Sequence, residues 1–339
     1  MQETLASKLG VRIPLIQAPM AGSQDGTLAV AVREAGALGS LACATLSADT
    51  LRGELARVGP GVNLNFFCHT PRQADDASWR RRLEPYYREL GLDPEARVAS
   101  PTRAPFSEEV AALLEPMRPR VLSFHFGLPA PALLARVKAW GALVLSSATT
   151  VDEARWLEAN GADMIIAQGS EAGGHRGMFL TDDLTTQLGT FALVPRIVAT
   201  VKLPVIAAGG IADAAGIRAA LALGAQGVQV GSAYLSCPEA TTSAVHRAAL
   251  KHADHTAITN LFSGRPARGI VNRLMRELGP VSNEAPPFPL ASAALAPLRA
   301  AAERSHDGSF SPLWAGQNAR SHTLTAAELT RELSAAFSE

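Results

Sequence analysis

The feature that most constrains the fold is a series of short apolar runs that alternate with alanine- and leucine-rich stretches of helical character. Nearly continuous apolar runs are typical of strands buried on both faces, and therefore of a parallel sheet. Eight such runs occur, at residues 14–18, 37–41, 61–67, 120–126, 142–147, 163–167, 204–208 and 227–231. Helices are predicted at residues 26–35, 48–58, 131–140, 151–160, 190–201 and 213–223.

Eight strands with crossover helices favour an α/β fold of the TIM (β/α)8 barrel type over an open doubly wound sheet. Periodicity alone leaves the open sheet possible. However, no GxGxxG motif follows the first run, and two glycine-rich turns follow the seventh and eighth runs, where barrels hold phosphate groups. We therefore expect residues 1–70 and 119–271 to form the barrel.

Two segments exceed a minimal barrel. Residues 71–118 form a long excursion between the third and fourth runs, with helices predicted at 75–90 and 107–116. Residues 272–339 contain a proline-rich stretch and alanine-rich helices. We expect the first segment to be an insertion at the barrel mouth and the second to be a C-terminal helical cap region.

Composition excludes several classes of function. Lys+Arg and Asp+Glu each number 31, so the zero net charge gives no support to a nucleic-acid or anionic-membrane partner. The three cysteines are odd in number and far apart, and the histidines after the eighth run are poorly spaced for ligation, so we expect neither disulfides nor a metal. Without a visible signal peptide or membrane-spanning run, a soluble, cytoplasmic protein is expected.

The most informative stretch is residues 167–177, AQGSEAGGHRG, which begins where the sixth strand ends. In a barrel this position makes it an active-site loop. A histidine in a glycine-rich loop at that rim suits an acid–base role, so His175 is the catalytic candidate; the alternative is a turn with an exposed histidine. Arg176 either attracts an anionic substrate or is a solvated loop charge. Glu171 is a candidate anchor of the loop through hydrogen bonds.

A phosphate site is predicted from two neighbouring turns. One is AAGGI at 207–211, followed by Asp213 at the start of a helix, and the other is QVGS at 229–232, again expected to open a helix. Together they would direct backbone N–H groups of two turns toward a single phosphate. The alternative is ordinary turn chemistry, since glycine often ends strands.

A barrel with a phosphate site and no lysine near a strand end favours a bound cofactor such as FMN over a Schiff-base enzyme. Asn65 and Gln168 are amides at strand ends, and an amide both donates and accepts, as the pyrimidine edge of a flavin requires. The end of the first strand, residues 18–22, could lay backbone against a flat ring. The alternative role for each amide is a strand-end cap.

In combination these residues resemble the nitronate monooxygenase family, and most of all its bacterial class I branch. The resemblance runs from about Pro14 to Arg268, with weaker similarity at 314–317. It rests on QAPMAG (17–22), NLNFFCHTP (63–71), SFHFGLP (123–129), AQGSEAGGHRG (167–177), AAGGI (207–211) and QVGS (229–232). NFFCH and SFHFG discriminate best, because flavin-dependent enoyl-ACP reductases have similar glycine-rich loops.

The resemblance implies a TIM barrel that binds one non-covalent FMN and oxidises an alkyl nitronate with O2 to a carbonyl compound and nitrite. Propionate 3-nitronate, a toxin, is the typical substrate, so detoxification is the implied role. His175 is implied as the catalytic residue and His125 as a substrate contact, and His69 lies where it could also approach substrate. The expected cofactor contacts are Ala18, Pro19, Met20, Asn65, Gln168, Gly173, Gly174, Gly209, Gly210, Gln229, Val230, Gly231 and Ser232.

Other functions stay open on the sequence. An NAD(P)H-dependent FMN reductase, acting on enoyl-ACP or quinones, needs a nicotinamide site but no dinucleotide fingerprint. A non-enzymatic FMN-binding module would not need the glycine-flanked histidine. A phosphate-sugar isomerase without FMN would need a catalytic lysine or a glutamate pair at the strand ends, and neither is evident in the sequence. The expected partners are a small nitronate and O2, and the chain is expected to be a monomer or a homodimer.

Overall fold

In the computed structural model, residues 4–96 and 103–337 are described, so residues 97–102 of the predicted insertion lie outside the described residues. The strands of the described residues are β1 Leu15–Gln17, β2 Ser40–Ala42, β3 Asn63–Phe67, β4 Val121–His125, β5 Leu143–Ala148, β6 Met164–Gln168, β7 Gly174–His175, β8 Val205–Ala208, β9 Gly227–Val230, β10 Thr256–Thr259 and β11 Ala267–Ile270. Each of the eight predicted runs contains or overlaps one strand.

Those eight strands form one parallel sheet in the order β1-β9-β8-β6-β5-β4-β3-β2. The two edges of this order meet, because Ile16 in β1 bridges Leu38 just before β2. Leu38 donates its N–H to the carbonyl oxygen of Leu15 at 2.9 Å, and Gln17 donates to that of Leu38 at 2.9 Å. The sheet therefore curls into a nearly closed barrel, and the predicted TIM-barrel fold is confirmed.

Helices follow the strands as the sequence predicts. The α-helices of the described residues are α1 Leu5–Leu9, α2 Gly26–Glu34, α3 Ala48–Val58, α4 Ala77–Glu89, α5 Glu108–Leu114, α6 Pro131–Ala139, α7 Val151–Ala159, α8 Thr190–Val198, α9 Ala214–Ala222, α10 Ala244–Leu250, α11 Arg273–Leu278, α12 Ala291–Arg304 and α13 Ala326–Ser334. Several begin at a capping side chain; for example, Asp213 accepts the N–H of Gly216 at 2.8 Å before α9. None of these helices is long and apolar enough to cross a membrane.

The amino end of the barrel is filled with apolar side chains. Because strand side chains alternate in direction, every second residue points to the barrel axis. The inward set at this end comprises Ile16, Leu38, Val121, Leu145, Met164, Ile166 and Ile206. Leu5 and Leu9 of α1 pack into the same cluster and are 4% and 2% exposed. Helix α1 thus plugs the bottom of the barrel.

The carboxyl end of the barrel interior is polar instead. Phe66 and Phe124 belong to the outer core beneath the helices, so the residues beside them in β3 and β4 point inward. By the same alternation the inward side chains at this end are Asn65, Ser123, His125, Ser147, Gln168 and Gln229. A polar interior at the carboxyl ends of the strands is where a TIM barrel holds its ligand.

A second sheet, which the sequence does not predict, covers this end. Strand β11 pairs antiparallel with β10 on one side and with β7 on the other. The two-residue β7 is the segment Gly174–His175 of the active-site loop, with His175 opposite Ala267. A two-residue strand has no periodicity to detect, so only its tertiary partner defines it.

The inserted and C-terminal segments pack on each other. The buried Trp79 of α4 donates its indole N–H to the carbonyl oxygen of Ala291, at 3.3 Å, and the Tyr87 hydroxyl donates to that of Ala294, at 2.6 Å. A shared apolar cluster includes Leu83 of α4 and Leu298 of α12. The two segments that exceed a minimal barrel are therefore joined to each other.

Removing the plug should destabilise the fold. For Leu9→Ala we expect the free energy of unfolding to fall by about 2–4 kcal/mol, because a fully buried leucine leaves a cavity. Leu180→Ala, at a position 48% exposed, is the control and should change it by less than about 0.5 kcal/mol. Urea denaturation followed by circular dichroism measures both. Equal losses in the two variants would contradict the role of α1 as a plug.

Candidate active site

The loop between β6 and α8 brings His175 over the polar end of the barrel. The carbonyl oxygen of His175 accepts two hydrogen bonds, from Nε2 of Gln168 at 3.0 Å and from Nε2 of His125 at 3.1 Å. Oε1 of Gln168 also accepts the N–H of Gly177, at 2.7 Å. The last residue of β6 therefore holds the loop at two points on either side of Arg176.

The hydrogen bonds of His125 define its tautomer. A carbonyl oxygen only accepts, so Nε2 of His125 must carry the proton that bonds to His175. Nδ1 lies 3.1 Å from the hydroxyl oxygen of Ser147 and, in the neutral ring, accepts from it. Both ring nitrogens of His125 are thus used within the protein. That His125 contacts substrate stays a prediction.

Aromatic rings surround His175. Its ring centroid lies 5.4 Å from that of Phe288, 5.5 Å from Trp314 and 6.1 Å from Phe126. The ring centroid of Phe67, the last residue of β3, lies 6.3 Å from that of His175. Tyrosine is scarce in this chain, yet phenylalanine and tryptophan supply an aromatic lining.

Nε2 of His175 lies 2.9 Å from the hydroxyl oxygen of the buried Ser263. Ser263 follows β10, in the connection to β11, and its hydroxyl also donates to the carbonyl oxygen of Arg265, at 3.3 Å. The same hydroxyl oxygen also accepts the backbone N–H of Arg265, at 3.4 Å. Ser263 thereby orients the ring of the predicted catalytic residue.

The three histidines of the site are held neutral near pH 7. Burial lowers the pKa of His125 to about 4 and, together with the charges of Arg265 and Arg103, lowers the pKa of His69 to about 4. Burial, followed by the charge of Arg103, lowers the pKa of His175 well below its usual value. Neutral imidazoles can accept or donate hydrogen bonds without adding charge.

Two arginines that sequence reasoning missed lie against the phenylalanine rings that surround His175. The guanidinium carbon of Arg265 lies 3.9 Å from the ring centroid of Phe126, and that of Arg103 lies 5.6 Å from the ring centroid of Phe288. Arg265 follows a glycine in the β10–β11 connection, and Arg103 belongs to the arginine- and proline-rich insertion. The arginine-rich composition of the insertion was the only sequence signal, because neither residue directly follows a predicted strand of the barrel.

Arg176 has neither of the roles considered for it. It is completely buried and donates to the carbonyl oxygens of Gln168 and Gly169, at 2.7 and 2.8 Å, and to Oε1 of Gln187, at 2.9 Å. Since its donors face protein oxygens, it neither attracts substrate nor is solvated. Its charge is accommodated by oxygens of the loop itself, and its role is structural.

Glu171 anchors the loop as predicted. Its carboxylate accepts the backbone N–H of Thr190, at 2.8 Å, and the Thr190 hydroxyl, at 2.9 Å. Because Thr190 is the first residue of α8, the carboxylate also lies at the N-terminus of a helix, where negative charge is favoured. The prediction that Glu171 fixes the loop by hydrogen bonding is confirmed.

The two predicted phosphate turns lie side by side above β8 and β9. Gly209 and Gly210 have φ angles of +114° and +71°, which favour glycine, and Gly210 directs its carbonyl oxygen to Nδ2 of Asn318 at 2.9 Å. The second turn opens a helix as expected, and this helix is a short 3-10 helix, Ser232–Ser236. Pro238 limits its length, because the residue before a proline is driven from helical angles.

The C-terminal segment seals this end. Gly316 donates its N–H to the Ser232 hydroxyl at 2.8 Å, and Gln317 donates to the carbonyl oxygen of Glu171 at 2.9 Å. A Cβ on Gly173 would lie 2.5 Å from the nitrogen of Gly316, so only glycine allows this approach. Residues 314–318 therefore belong to the site, although they are far away in sequence.

The other predicted cofactor residues gather around the same axis. Asn65 donates to the Ser123 hydroxyl at 2.9 Å. Ala18, which begins the Ala18–Pro19–Met20 segment, donates its N–H to the carbonyl oxygen of Val230 at 2.8 Å.

Gln229 points inward and its buried Oε1 has no hydrogen-bond partner. The side chain of Val230 packs in the outer core, so only its backbone could meet a ligand. Gly231 lies against Ala18, and Gly174 has open space where a Cβ would be.

This fold and site define a TIM-barrel enzyme whose ligand site lies at the carboxyl ends of the strands. Comparison with known proteins identifies the family. The sequence model described as nitronate monooxygenase matches residues 2–335. The chain is 42% identical to the nitronate monooxygenase of Pseudomonas aeruginosa, over 98% of both chains. The chain therefore belongs to the nitronate monooxygenase family, a family of oxidoreductases.

Solved structures are also similar to this chain. A nitroalkane oxidase from Streptomyces ansochromogenes superposes with a TM-score of 0.87 at 36% identity, covering 98% of this chain and 99% of that one. A FabK variant from Thermotoga maritima gives a TM-score of 0.72 at 25% identity, covering 99% and 96%. The family match also extends beyond Arg268, where the sequence resemblance was expected to fade, and it includes the segment that seals the phosphate turns.

The neutral histidines make stability depend on pH. His69 has a folded-state pKa of about 4, below its usual value, so below pH 6.5 the unfolded chain binds a proton that the folded chain does not. Stability should fall as the pH drops from 6.5 toward 4. For His69→Gln, we expect the loss between pH 7.5 and pH 5 to shrink by about 2 kcal/mol. Urea denaturation at both pH values measures this. An unchanged loss would contradict it.

Proposed function

We propose that the protein is an FMN-dependent nitronate monooxygenase that oxidises alkyl nitronates of the propionate 3-nitronate type with O2 to a carbonyl compound and nitrite. The observation that carries the proposal is the position of His175, neutral and ringed by aromatic side chains, over the polar end of the barrel. The nitronate monooxygenases among the relatives support it. Detoxification is the role that follows.

The residues present fit FMN. The glycines of two turns and Ser232 form a cradle suited to a phosphate, which the sealing segment 314–318 closes on one side. Deeper in the barrel, the unpartnered Oε1 of Gln229 is an acceptor without a donor, and the pyrimidine edge of a flavin ring offers an N–H donor. Asn65, Gln168 and the backbone of residues 18–20 would hold the ring. When bound, FMN supplies the redox chemistry between the substrate and O2.

The chain contributes orientation and exclusion of water. His175, with Nε2 bonded to Ser263, presents a fixed imidazole to an anionic nitronate, and it could also accept the proton of a neutral nitroalkane. Phe67, Phe126 and Phe288 exclude water around that ring, which strengthens every electrostatic interaction inside the site. His125 and Gln168 keep the loop in place through the His175 carbonyl oxygen.

The first experiment separates this proposal from a nicotinamide-dependent reductase. Protein loaded with FMN is mixed with propionate 3-nitronate in air, and separately with NADH or NADPH under argon, while oxygen uptake, nitrite and flavin absorbance are followed. Rapid oxygen uptake with nitrite release, and no bleaching by either nucleotide, is expected. Rapid bleaching by a nucleotide without turnover of the nitronate would overturn the proposal.

Replacing the central histidine should remove activity and leave the cofactor bound. For His175→Ala we expect kcat/KM for propionate 3-nitronate to fall by about 100-fold or more, as is typical for loss of a positioned acid–base group. The Ser263→Ala variant keeps the imidazole and loses only the hydrogen bond that orients it, so its kcat/KM should fall less. Steady-state oxygen uptake measures both at equal FMN content. A fully active His175→Ala protein would rule out this role.

The glycine cradle gives a separate test of cofactor binding. For Gly173→Ala we expect the Kd for FMN to rise by about tenfold or more, because the new Cβ would displace the chain at Gly316. Gly53→Ala, on helix α3 with open space around it, is the matched control and should leave the Kd unchanged. Quenching of FMN fluorescence measures both. Wild-type affinity in Gly173→Ala would show that this turn does not hold the cofactor.

A further inference from the structure

The seam where the barrel closes is not completed by backbone alone. Strands β1 and β2 are joined by two backbone hydrogen bonds of 2.9 Å, from Leu38 to the carbonyl oxygen of Leu15 and from Gln17 to that of Leu38. In a parallel ladder the next two bonds would join Ser40 to the carbonyl oxygen of Gln17 and to the N–H of residue 19. Residue 19 is a proline and has no N–H, so the backbone ladder cannot continue.

Two glutamine side chains complete the seam in place of the backbone. Oε1 of Gln17 accepts the N–H of Ser40 at 3.0 Å. Nε2 of Gln24 donates to the carbonyl oxygen of Ser40, which is the acceptor that the proline leaves without a donor. Ser40 is completely buried, so an unbonded carbonyl oxygen at this position would be costly. Gln24 therefore supplies the donor that Pro19 lacks.

The same side chain holds the turn that follows β1. Oε1 of Gln24 accepts the backbone N–H of Met20 at 2.6 Å and Nε2 of Gln17 at 2.9 Å. Both ends of one amide are thus in use, the oxygen toward the turn and the nitrogen toward β2. A residue of the loop before α2 thereby couples closure of the barrel to the shape of residues 18–20.

Further backbone hydrogen bonds fix this turn within the protein. The Ala18 N–H donates to the carbonyl oxygen of Val230 at 2.8 Å, and the Ser23 N–H donates to that of Met20 at 3.0 Å. The carbonyl oxygen of Ser23 accepts the N–H of Thr241, also at 3.0 Å. These three bonds persist when a side chain is replaced. A turn whose polar groups are bonded internally is preorganised, and preorganisation lowers the entropy cost of binding a ligand.

We propose that Gln24 is a positioning residue for the cofactor: it completes the seam that Pro19 interrupts and thereby holds residues 18–20 in the shape that packs against the flavin ring. Its amide faces Ser40, Gln17 and Met20, so it acts through the turn and not by contact with FMN. This inference rests on the proposed function and deepens it. Gln24 lies outside the QAPMAG motif, which ends at residue 22.

Removing the amide should weaken FMN binding. In Gln24→Met, a side chain of similar length leaves the Met20 N–H and the Ser40 carbonyl oxygen without their partners. We expect the Kd for FMN to rise by about tenfold, as is typical when a polar group loses its hydrogen bond. Quenching of FMN fluorescence measures the Kd. An unchanged Kd would overturn the proposal.

Two controls separate positioning from a general loss of stability. Leu9→Ala destabilises the opposite end of the barrel, so it should lower the midpoint of thermal unfolding and leave the Kd for FMN unchanged. Gln226→Met replaces an exposed glutamine in the loop before β9 and should change neither quantity. An equal rise of the Kd in Leu9→Ala and Gln24→Met would show that affinity follows stability alone, and it would also overturn the proposal.

The Gln24→Glu variant gives a readout that a purely structural role would not move, and it serves if Gln24→Met does not fold. A protonated carboxyl group donates and accepts as the amide does, whereas a carboxylate only accepts and would oppose the Ser40 carbonyl oxygen. The ratio of its Kd to that of wild type should therefore be raised at pH 8 and fall as the pH is lowered to 5.5. A ratio independent of pH would contradict the paired roles of the amide.

Hydrogen exchange and turnover distinguish this proposal from the proposed function. Amide exchange of the peptide that contains Met20, followed by mass spectrometry, should be faster in Gln24→Met than in wild type. If the Kd and the exchange rate rise but wild type oxidises no nitronate, the proposed function fails and the positioning role stands. If wild type oxidises nitronates and Gln24→Met keeps the wild-type Kd and exchange rate, only the positioning role fails. A wild-type protein that binds no FMN would overturn both.

Discussion

The site depends on the buried guanidinium of Arg176. A charge inside a protein is tolerated only when its donors are matched, and here three oxygens of the same loop region accept from it. Two of them are the carbonyl oxygens of Gln168 and Gly169, so the side chain ties the loop to the end of β6. The residue before Arg176 is His175. The Gln168 side chain bonds the carbonyl oxygen of His175 and the N–H of Gly177, so the backbone is fixed on both sides of Arg176. The predicted catalytic ring is therefore positioned by a neighbour that never touches a ligand.

The electrostatics of the site divide into two regions. Around His175 the imidazoles are neutral and the walls aromatic, so a small anionic group meets hydrogen-bonding nitrogens in a water-poor space. Across Phe288, the charges of Arg103 and Arg265 are close enough to lower the pKa of His69. Burial does most to keep the imidazoles neutral, and the positive charges that add to this effect would also attract an anionic substrate. One arrangement thus serves both the protonation state of the histidines and the binding of an anion.

Much of the fold was predictable because its signals are local. The strands β3 to β6 are buried on both faces along almost their whole length, and the helices α3 and α7 begin at the capping residues Ser47 and Thr150. The glycines at 209 and 210 have positive φ angles, which suit the glycine-rich turn found at this position in the sequence. Predictions failed where a contact outside the local sequence pattern decides the outcome. Strand β7 exists only through β11, and the burial of Arg176 depends on Gln187, neither of which a local pattern can show.

The sequence by itself determined the barrel, the end of the barrel at which a ligand would lie, and the histidine loop, because each follows from strand period, glycine placement and chain order. Only the tertiary structure decided which side chains meet there. Arg103 of the insertion, Arg265 of the second sheet and Gly316 of the C-terminal segment come to one site from three separate parts of the chain. Burial and charge around His175 depend on that assembly. Its protonation state is therefore a property of the folded molecule and not of any motif.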